Sequence, residues 1–314
     1  MQTHVTMRSA SSVTGLVLLA ACSGPSLSLK RDGAAITVVR DGADVATVYA
    51  AASPRPYVWP VLAPSGIPVT RNHPMWVREN EQHDHPHHKS LWFAHGSVNG
   101  YDFWQGVKHH EQILHVTTET QERSGGEVEV VSEYKWQVEG GRVIMREQRS
   151  MTFTEQADYR TIDVAFKLMA TEGDVLFGDT KEGTFAMRLH PSLRVEGKIA
   201  NGTLTDSEGR LGKEVWGKRA RWIHDYGRVG GDDVGVAIFD HPTNLRHPTW
   251  WHARTYGLLA ANPFGKHDFQ GGPSGGGDFM LKKGEEMTLR YQVLVHYGAW
   301  SPDRLENLWK EWAR

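Results

Sequence analysis

Cysteine is nearly absent: Cys22 is the only one in 314 residues, so no disulfide within the chain can staple the fold. Long apolar runs are missing too. Apart from a short stretch near the N-terminus, nothing approaches the roughly 20 apolar residues that a membrane helix needs. The 35 Lys and Arg residues nearly balance the 37 Asp and Glu residues, for a net charge of −2. The cations form no long run or basic stripe, which argues against a nucleic-acid partner. Also lacking are the G-x-G-x-x-G and P-loop fingerprints, the βαβ alternation of nucleotide-binding folds, and the H-E-x-x-H helix of zinc proteases.

Near the N-terminus, Arg8 precedes the apolar run Val13 to Ala21, and Leu19-Ala20-Ala21-Cys22 places small residues before the cysteine. This pattern resembles a bacterial lipobox. Residues 1–21 are expected to be a lipoprotein signal peptide, Cys22 its acylation site and 22–26 a linker. The mature chain would then be held at the cell envelope by a lipid anchor. A buried structural cysteine is the plainer alternative.

From Leu27 onward the pattern is that of strands. Asp32-Gly33 and Asp41-Gly42 sit between short apolar runs, the signature of a β-meander, because such turns need positive φ. Arg55 to Met75 holds five prolines and is expected to be extended and edge-like. Alternating apolar stretches follow between Glu127 and Ala170, with Gly140-Gly141 as a turn, and again around Phe185–Val195, Val234–Phe239 and Met287–His296. Helix is expected only at the C-terminus: Ser301 can cap, Pro302 fits the first turn, and Leu305, Leu308, Trp309 and Trp312 share a face expected to close over one end of the sheets. The chain is therefore expected to be all-β, a large antiparallel β-sandwich over 27–314 with a short C-terminal helix. Two successive sandwiches are the alternative.

The densest chemistry lies between Glu81 and Trp104, where His83, Asp84, His85, His87 and His88 surround Pro86. Proline excludes both helix and central strand here, so this is a loop. Leu91-Trp92-Phe93 reads as a short buried strand carrying His95 at its end. A solvated histidine-rich loop is the plainer account of the same residues. Four other segments mix ionisable and aromatic residues: Gly178-Asp179-Thr180-Lys181-Glu182-Gly183, Trp216-Gly217-Lys218-Arg219-Ala220-Arg221-Trp222, the run from Phe239-Asp240-His241-Pro242 to Trp250-Trp251-His252-Ala253-Arg254, and Ala261-Asn262-Pro263-Phe264-Gly265. The first two have a structural alternative: a solvated hairpin for the first, and cations lying over exposed aromatics for the second.

Taken in order, these segments resemble a family of secreted bacterial proteins labelled methane-oxygenase-subunit-like, over nearly the whole mature chain. The resemblance implies a fold similar to the galactose-mutarotase-like supersandwich and a place among carbohydrate-degrading systems. It leads to the expectation of a carbohydrate-active enzyme, a lyase, hydrolase or epimerase, acting on a sugar or oligosaccharide by acid–base chemistry. The candidate acid is His88 or His95, and the candidate base Glu182 or Asp179, with the roles exchangeable. Lys181 and Arg219 would stabilise charge, and Trp92, Trp104 or Trp250 would stack on the sugar. Asn99, Lys218, Asp240, His241, His252 and Asn262 would bind polar groups. No cofactor is expected. A transition metal on His85 and His87, joined by His83, Asp84 or His252, is the alternative. A non-catalytic sugar-binding lipoprotein is the competing function.

Overall fold

The computed structural model describes residues 26–106, 108 and 110–314. Cys22 and the expected signal segment lie outside the described residues. Two eight-stranded antiparallel sheets stack face to face. The front sheet runs Leu27–Asp32, Ala35–Arg40, Ala43–Tyr49, Tyr57–Val61, Leu91–His95, Gly183–Arg188, Leu258–Asn262, Trp250–Trp251. The back sheet runs Thr203–Asp206, Trp222–Val229, Asp232–Asp240, Glu286–Tyr297, Tyr159–Met169, Val143–Glu155, Val128–Gln137, Gln112–Glu122. A two-stranded sheet pairs Val175–Phe177 with Phe279–Leu281.

The core forms because each strand alternates. In Leu91–His95, Phe93 points between the sheets and stacks on Phe166 at 3.9 Å, while Trp92 points to the outer face of the front sheet. The neighbouring strand repeats this, with Phe185 stacked on Tyr291 at 5.1 Å. One continuous buried cluster extends from Leu27 to Val295.

Both Asp-Gly turns form. Asp41 and Gly42 take φ of +50° and +85°, the pair of positive values a type I′ turn requires. In the first hairpin Asp32 pairs with Ala35, so Gly33, at φ +57°, is itself the first central residue and the only one with positive φ.

The proline-rich segment departs from expectation. Tyr57–Val61 contains Pro60 yet lies inside the front sheet, between Ala43–Tyr49 and Leu91–His95. The sheet accommodates it by pairing with Leu91–His95 only at Tyr57 and Val58, and by an irregular register on its other side. The C-terminal helix, Pro302–Trp312, is capped by Ser301 as expected. It lies on the outer face of the back sheet, not over an end, because Trp222, Ala237, Phe239 and Leu294 there need an apolar cover. A second helix that the sequence did not announce, Lys266–Gln270, follows the Asn262 segment.

Candidate active site on the front sheet

Within the histidine loop the backbone makes the bonds His88 N to the His85 carbonyl (2.9 Å) and Lys89 N to the His87 carbonyl (3.1 Å), and a buried arginine ties down the rest. Arg71 is 2% exposed. Its Nη1 donates to the carbonyls of Gln82 (3.2 Å) and Asp84 (3.0 Å) and to Asp84 Oδ1 (2.7 Å). Its Nη2 donates to the carbonyls of His85 (2.9 Å) and His88 (3.2 Å). Five bonds to one rigid guanidinium fix the loop's path. Within it, His85 is held at φ +45°, a left-handed conformation that costs a non-glycine residue about 1–3 kcal/mol.

This strain places an acid–base pair. Asp84 Oδ2 accepts from His85 Nδ1 at 2.8 Å, while Arg188 Nη2 donates to Oδ1 at 2.9 Å. Burial pushes the Asp84 carboxyl up, but the charge of Arg188, hydrogen bonds from His85 and Arg188, and the charge of Arg71 together bring it down to about 2. The carboxylate is therefore ionised at neutral pH. It fixes the His85 proton on Nδ1 and leaves Nε2 as a lone-pair base with no partner among the described residues. The His85 side chain is 43% exposed, so solvent and substrate can reach it.

The His85 ring is sandwiched between His88, at 4.7 Å, and Tyr256, at 5.7 Å, both nearly parallel to it. His88 plays a different part from His85. Arg188 Nη1 donates to His88 Nδ1 at 3.1 Å, so the His88 proton sits on Nε2. Burial, then the charges of His87 and Arg188, push its imidazolium far below the usual range. His88 stays neutral and serves as a hydrogen-bond donor. The Tyr256 ring carries Arg188 at 4.4 Å and Arg254 at 5.8 Å. Its phenol has no hydrogen-bond partner among the described residues and is raised by burial, against the opposing charges of Arg188 and Arg254.

Sheet register sets the opposite wall. Trp92 pairs with Ala186, and Ala186 with Ala260, while His252 N donates to the Ala260 carbonyl at 2.8 Å. The row therefore runs from Trp92 to His252 through two fully buried alanines. His252 Nδ1 donates to the Lys181 carbonyl at 2.8 Å, leaving Nε2 as its acceptor. Burial holds this imidazole at about 4, against the Lys181 hydrogen bond and with help from Arg254. Beside it Lys181 Nζ and Glu182 Oε1 lie 3.3 Å apart. Rings and cations join the two walls: Arg254 lies 5.8 Å from the Trp216 ring, Trp216 is 5.7 Å from Phe269, and Phe269 is 6.1 Å from His252.

The other expected site residues are placed elsewhere or otherwise engaged. His95 is fully buried and faces the core, with Nε2 donating to the Gly178 carbonyl at 2.8 Å. Gly183 passes so close that a Cβ there would fall 2.4 Å from His95 Nδ1. Asp179 accepts from the backbone N–H groups of His267 (2.9 Å) and Gly277 (2.7 Å), which occupies it as a loop clamp. Asn262 ties Thr180 to Phe264 and Gly265, and Asn99 ties Asp174 to Leu176. Arg219 caps the carbonyls of Arg246, His247 and Pro248, and Lys218 is exposed nearby. Asp240 is buried at the end of a back-sheet strand with His247 and Thr249, and His241 meets Trp312 of the C-terminal helix, so neither reaches the front face. Trp92, Trp104 and Trp250 are at most 4% exposed and offer no open face to a sugar. Trp92 and Trp104 pack beneath the site, Trp92 stacked under His88 at 5.1 Å and Trp104 edge-on at 5.6 Å, whereas Trp250 lies under Arg219 at 5.2 Å. Among the described residues no group of three or more His, Cys, Asp or Glu side chains is placed to hold a metal. The His85 and His87 rings stand 5.6 Å apart at 70°, and Asp84 already takes His85 Nδ1.

Residues 27–310 match the family of unknown function DUF6807. The chain belongs to that family. No curated protein matches it in sequence. Among solved structures, a polysaccharide lyase is similar at 14% identity and a TM-score of 0.34, over 90% of this chain; the chain spans about a third of that protein's length, 34%. An assigned aldose 1-epimerase from Escherichia coli K12 is similar at 13% identity and a TM-score of 0.32, over 88% of this chain and 100% of that one. A galactose mutarotase related enzyme from Lactobacillus acidophilus gives 12% identity and a TM-score of 0.28, over 87% and 97%. None of these descriptions, nor that of DUF6807, mentions a methane oxygenase.

In this DUF6807 chain the residues that sequence reasoning missed are among those holding the site: Arg71, Arg188 and Tyr256; Arg254 closed one of the ionisable segments but was given no role there. Arg188 and Tyr256 had a faint signal, a cation and an aromatic next to segments that read as turn or strand. Arg71 had none beyond its place in a proline-rich stretch.

Proposed function

We propose that the protein is a carbohydrate-active enzyme working by imidazole acid–base chemistry, with His85 as base, Asp84 as its orienting carboxylate and Tyr256 as the facing acid. The observation that carries this is the Asp84–His85 pair: an ionised carboxylate, immobilised by two arginines, fixes the tautomer of a solvent-accessible imidazole. In the proposed step, His85 Nε2 takes a proton from the sugar, and Asp84 stabilises the resulting imidazolium. The Tyr256 phenol returns a proton to the oxygen that gains charge, and the adjacent Arg188 and Arg254 steady it. His88, buried beneath the His85 ring and stacked on it at 4.7 Å, holds that ring in place.

Two kinds of sugar chemistry separate on this geometry. Hydrolysis of the usual kind needs two free carboxyls about 5–10 Å apart, whereas Asp84 is locked as an ion and Asp179 is spent on backbone. Glu182 alone remains. Proton transfer by one imidazole fits an epimerase or a lyase. A panel of sugars and oligosaccharides, followed by NMR for anomeric or epimeric exchange and by ultraviolet absorbance for new double bonds, tests this. Turnover that falls by about 10²-fold or more in His85→Ala and Asp84→Asn is expected; unchanged turnover in both would refute the assignment.

We also propose that the chain works at the cell envelope, tethered through acylated Cys22, on the strength of the Leu19–Cys22 pattern. Mass spectrometry of protein from its native host should find a lipidated N-terminal cysteine. An unmodified chain retaining residues 1–21 would refute the anchor.

A further inference from the structure

Next to the Asp84–His85 pair lies a cavity of about 490 Å³. Among the described residues it is lined by Arg55, His85, His87, Lys89 and Gln105 with two prolines, and by no carboxylate. Asp84, the nearby anion, already answers to Arg71 and Arg188. The cavity's cations have no such counterpart. Arg55 is 2% exposed; it donates to the Trp104 carbonyl and, at 2.8 Å, to the Gln105 carbonyl, and its Nε–H has no partner among the described residues. Lys89 Nζ reaches the Ser53 carbonyl at 3.2 Å and lies 5.1 Å over the Tyr57 ring. Neither makes an ion pair among the described residues. Asp102, whose charge acts on Arg55, gives its Oδ1 to the backbone N–H of Gln105 at 2.9 Å.

Burial lowers Arg55 to about 10, with Asp102 opposing. It also lowers Lys89, and the charge of Arg55 adds to that effect. His87, held at about 4 by burial and then by Arg55 and His85, is neutral at pH 7. The indole N–H of Trp104, behind this wall, is another buried donor without a partner among the described residues. Two partly desolvated cations beside unmatched donors are unfavourable until an acceptor-rich anion arrives. The Tyr49 and Tyr57 rings, stacked at 4.9 Å next to Lys89 and only partly buried, supply the flat apolar surface on which a sugar ring can lie.

We infer that this cavity receives a negatively charged substituent of the substrate sugar, a carboxylate or a sulfate ester, so that the substrates are acidic glycans. The inference rests on the proposed sugar chemistry at His85 for the position of the reacting atoms, but not for the anion site itself. Calorimetric titration of the full chain with D-galacturonate, D-galactose 6-sulfate and D-galactose tests it and separates the two anionic sources. At least one acidic sugar should bind about tenfold to a hundredfold more tightly than galactose, as expected for charge-assisted hydrogen bonds. High salt should erode the difference, and Lys89→Gln, at a partly exposed position, should bring the ratio down by about tenfold. Equal affinity for all three sugars, or a preference untouched by Lys89→Gln, would overturn the inference. So would acetate binding as tightly as the acidic sugars, which would mark an adventitious ion only. Turnover by the unsubstituted full chain separates the two proposals: acidic preference with no turnover of any glycan sinks the catalytic assignment alone, and turnover confined to neutral glycans sinks this one alone.

Discussion

On the outer face of the back sheet, Trp222, Ala237, Phe239 and Leu294 are covered by Leu305, Leu308, Trp309 and Trp312 of the C-terminal helix. On the outer face of the front sheet, Trp92, Ala186 and Ala260 are just as buried, but the cover is His88, Arg188, His252 and the loop around Asp84. The same kind of apolar floor has thus been closed once with tryptophan and leucine and once with imidazoles, guanidinium groups and a carboxylate. Burying polar and charged groups costs more than burying leucine unless every group is matched. On the front face the matching is incomplete: Arg188 Nε, Trp92 Nε1 and Ser90 Oγ are buried without partners among the described residues. A cover that gives up stability in this way points to chemistry, and the helix on the other side points to packing.

The sharpest way to break this contrast is to cut each cover separately. His85→Ala should lower turnover by about 10²-fold or more while leaving the thermal midpoint nearly unchanged, or raising it as the left-handed backbone strain is relieved by relaxation of the loop. Paired activity and calorimetric measurements check this, and a large fall in midpoint would make His85 a packing residue. Leu305→Ala should do the opposite: Leu305 is fully buried, so about 2–5 kcal/mol of stability should vanish in urea titration. Activity per folded molecule should hold.

Acid separates the two faces more gently. His252 is held at about 4, below the ordinary 6.5, so the unfolded chain takes up the proton first. Its effect is a loss of stability as pH falls from about 6.5 toward 4. Asp84 is held at about 2, below the ordinary 3.8. The stability it contributes is complete above about pH 4 and is lost as pH falls further toward 2. Urea midpoints measured against pH should show both limbs, with His252→Gln flattening the upper one and Asp84→Asn the lower. An upper limb that survives in His252→Gln would assign it to other buried histidines. The smallest effect belongs to the packing side: Ser301→Ala removes the helix cap and should cost about 1 kcal/mol.

Much of the framework can be read directly from the chain. Asp41-Gly42, Gly140-Gly141, the alternation of Val128–Gln137 and the Ser301-Pro302 cap act through their own dihedral angles and side-chain periods, so neighbours in sequence suffice to reveal them. Pro86 likewise announces that the histidine segment is a loop, because a ring on the backbone excludes helix and ladder wherever it stands. Burial was harder. Trp92 and Trp104 looked like open platforms because sequence shows an aromatic but not what lies on it, and here His88 lies on it. His95 and Asp179 looked like an acid and a base because their types fit, but one faces the core and the other is clamped to backbone.

The sequence determined which segments are strands, where the chain turns, and that its ionisable residues gather in a few loops; these follow from local sterics and from apolar spacing. Only the tertiary structure decided which of those residues meet. Arg71 reaches across to a loop 13 to 17 residues away, and Arg188 reaches His88 100 residues away because Leu91–His95 pairs with Gly183–Arg188. Partners at that distance are chosen by strand order and register. The hydrophobic pattern constrains register through which face each residue takes, but leaves the choice of neighbouring strand to the assembled core.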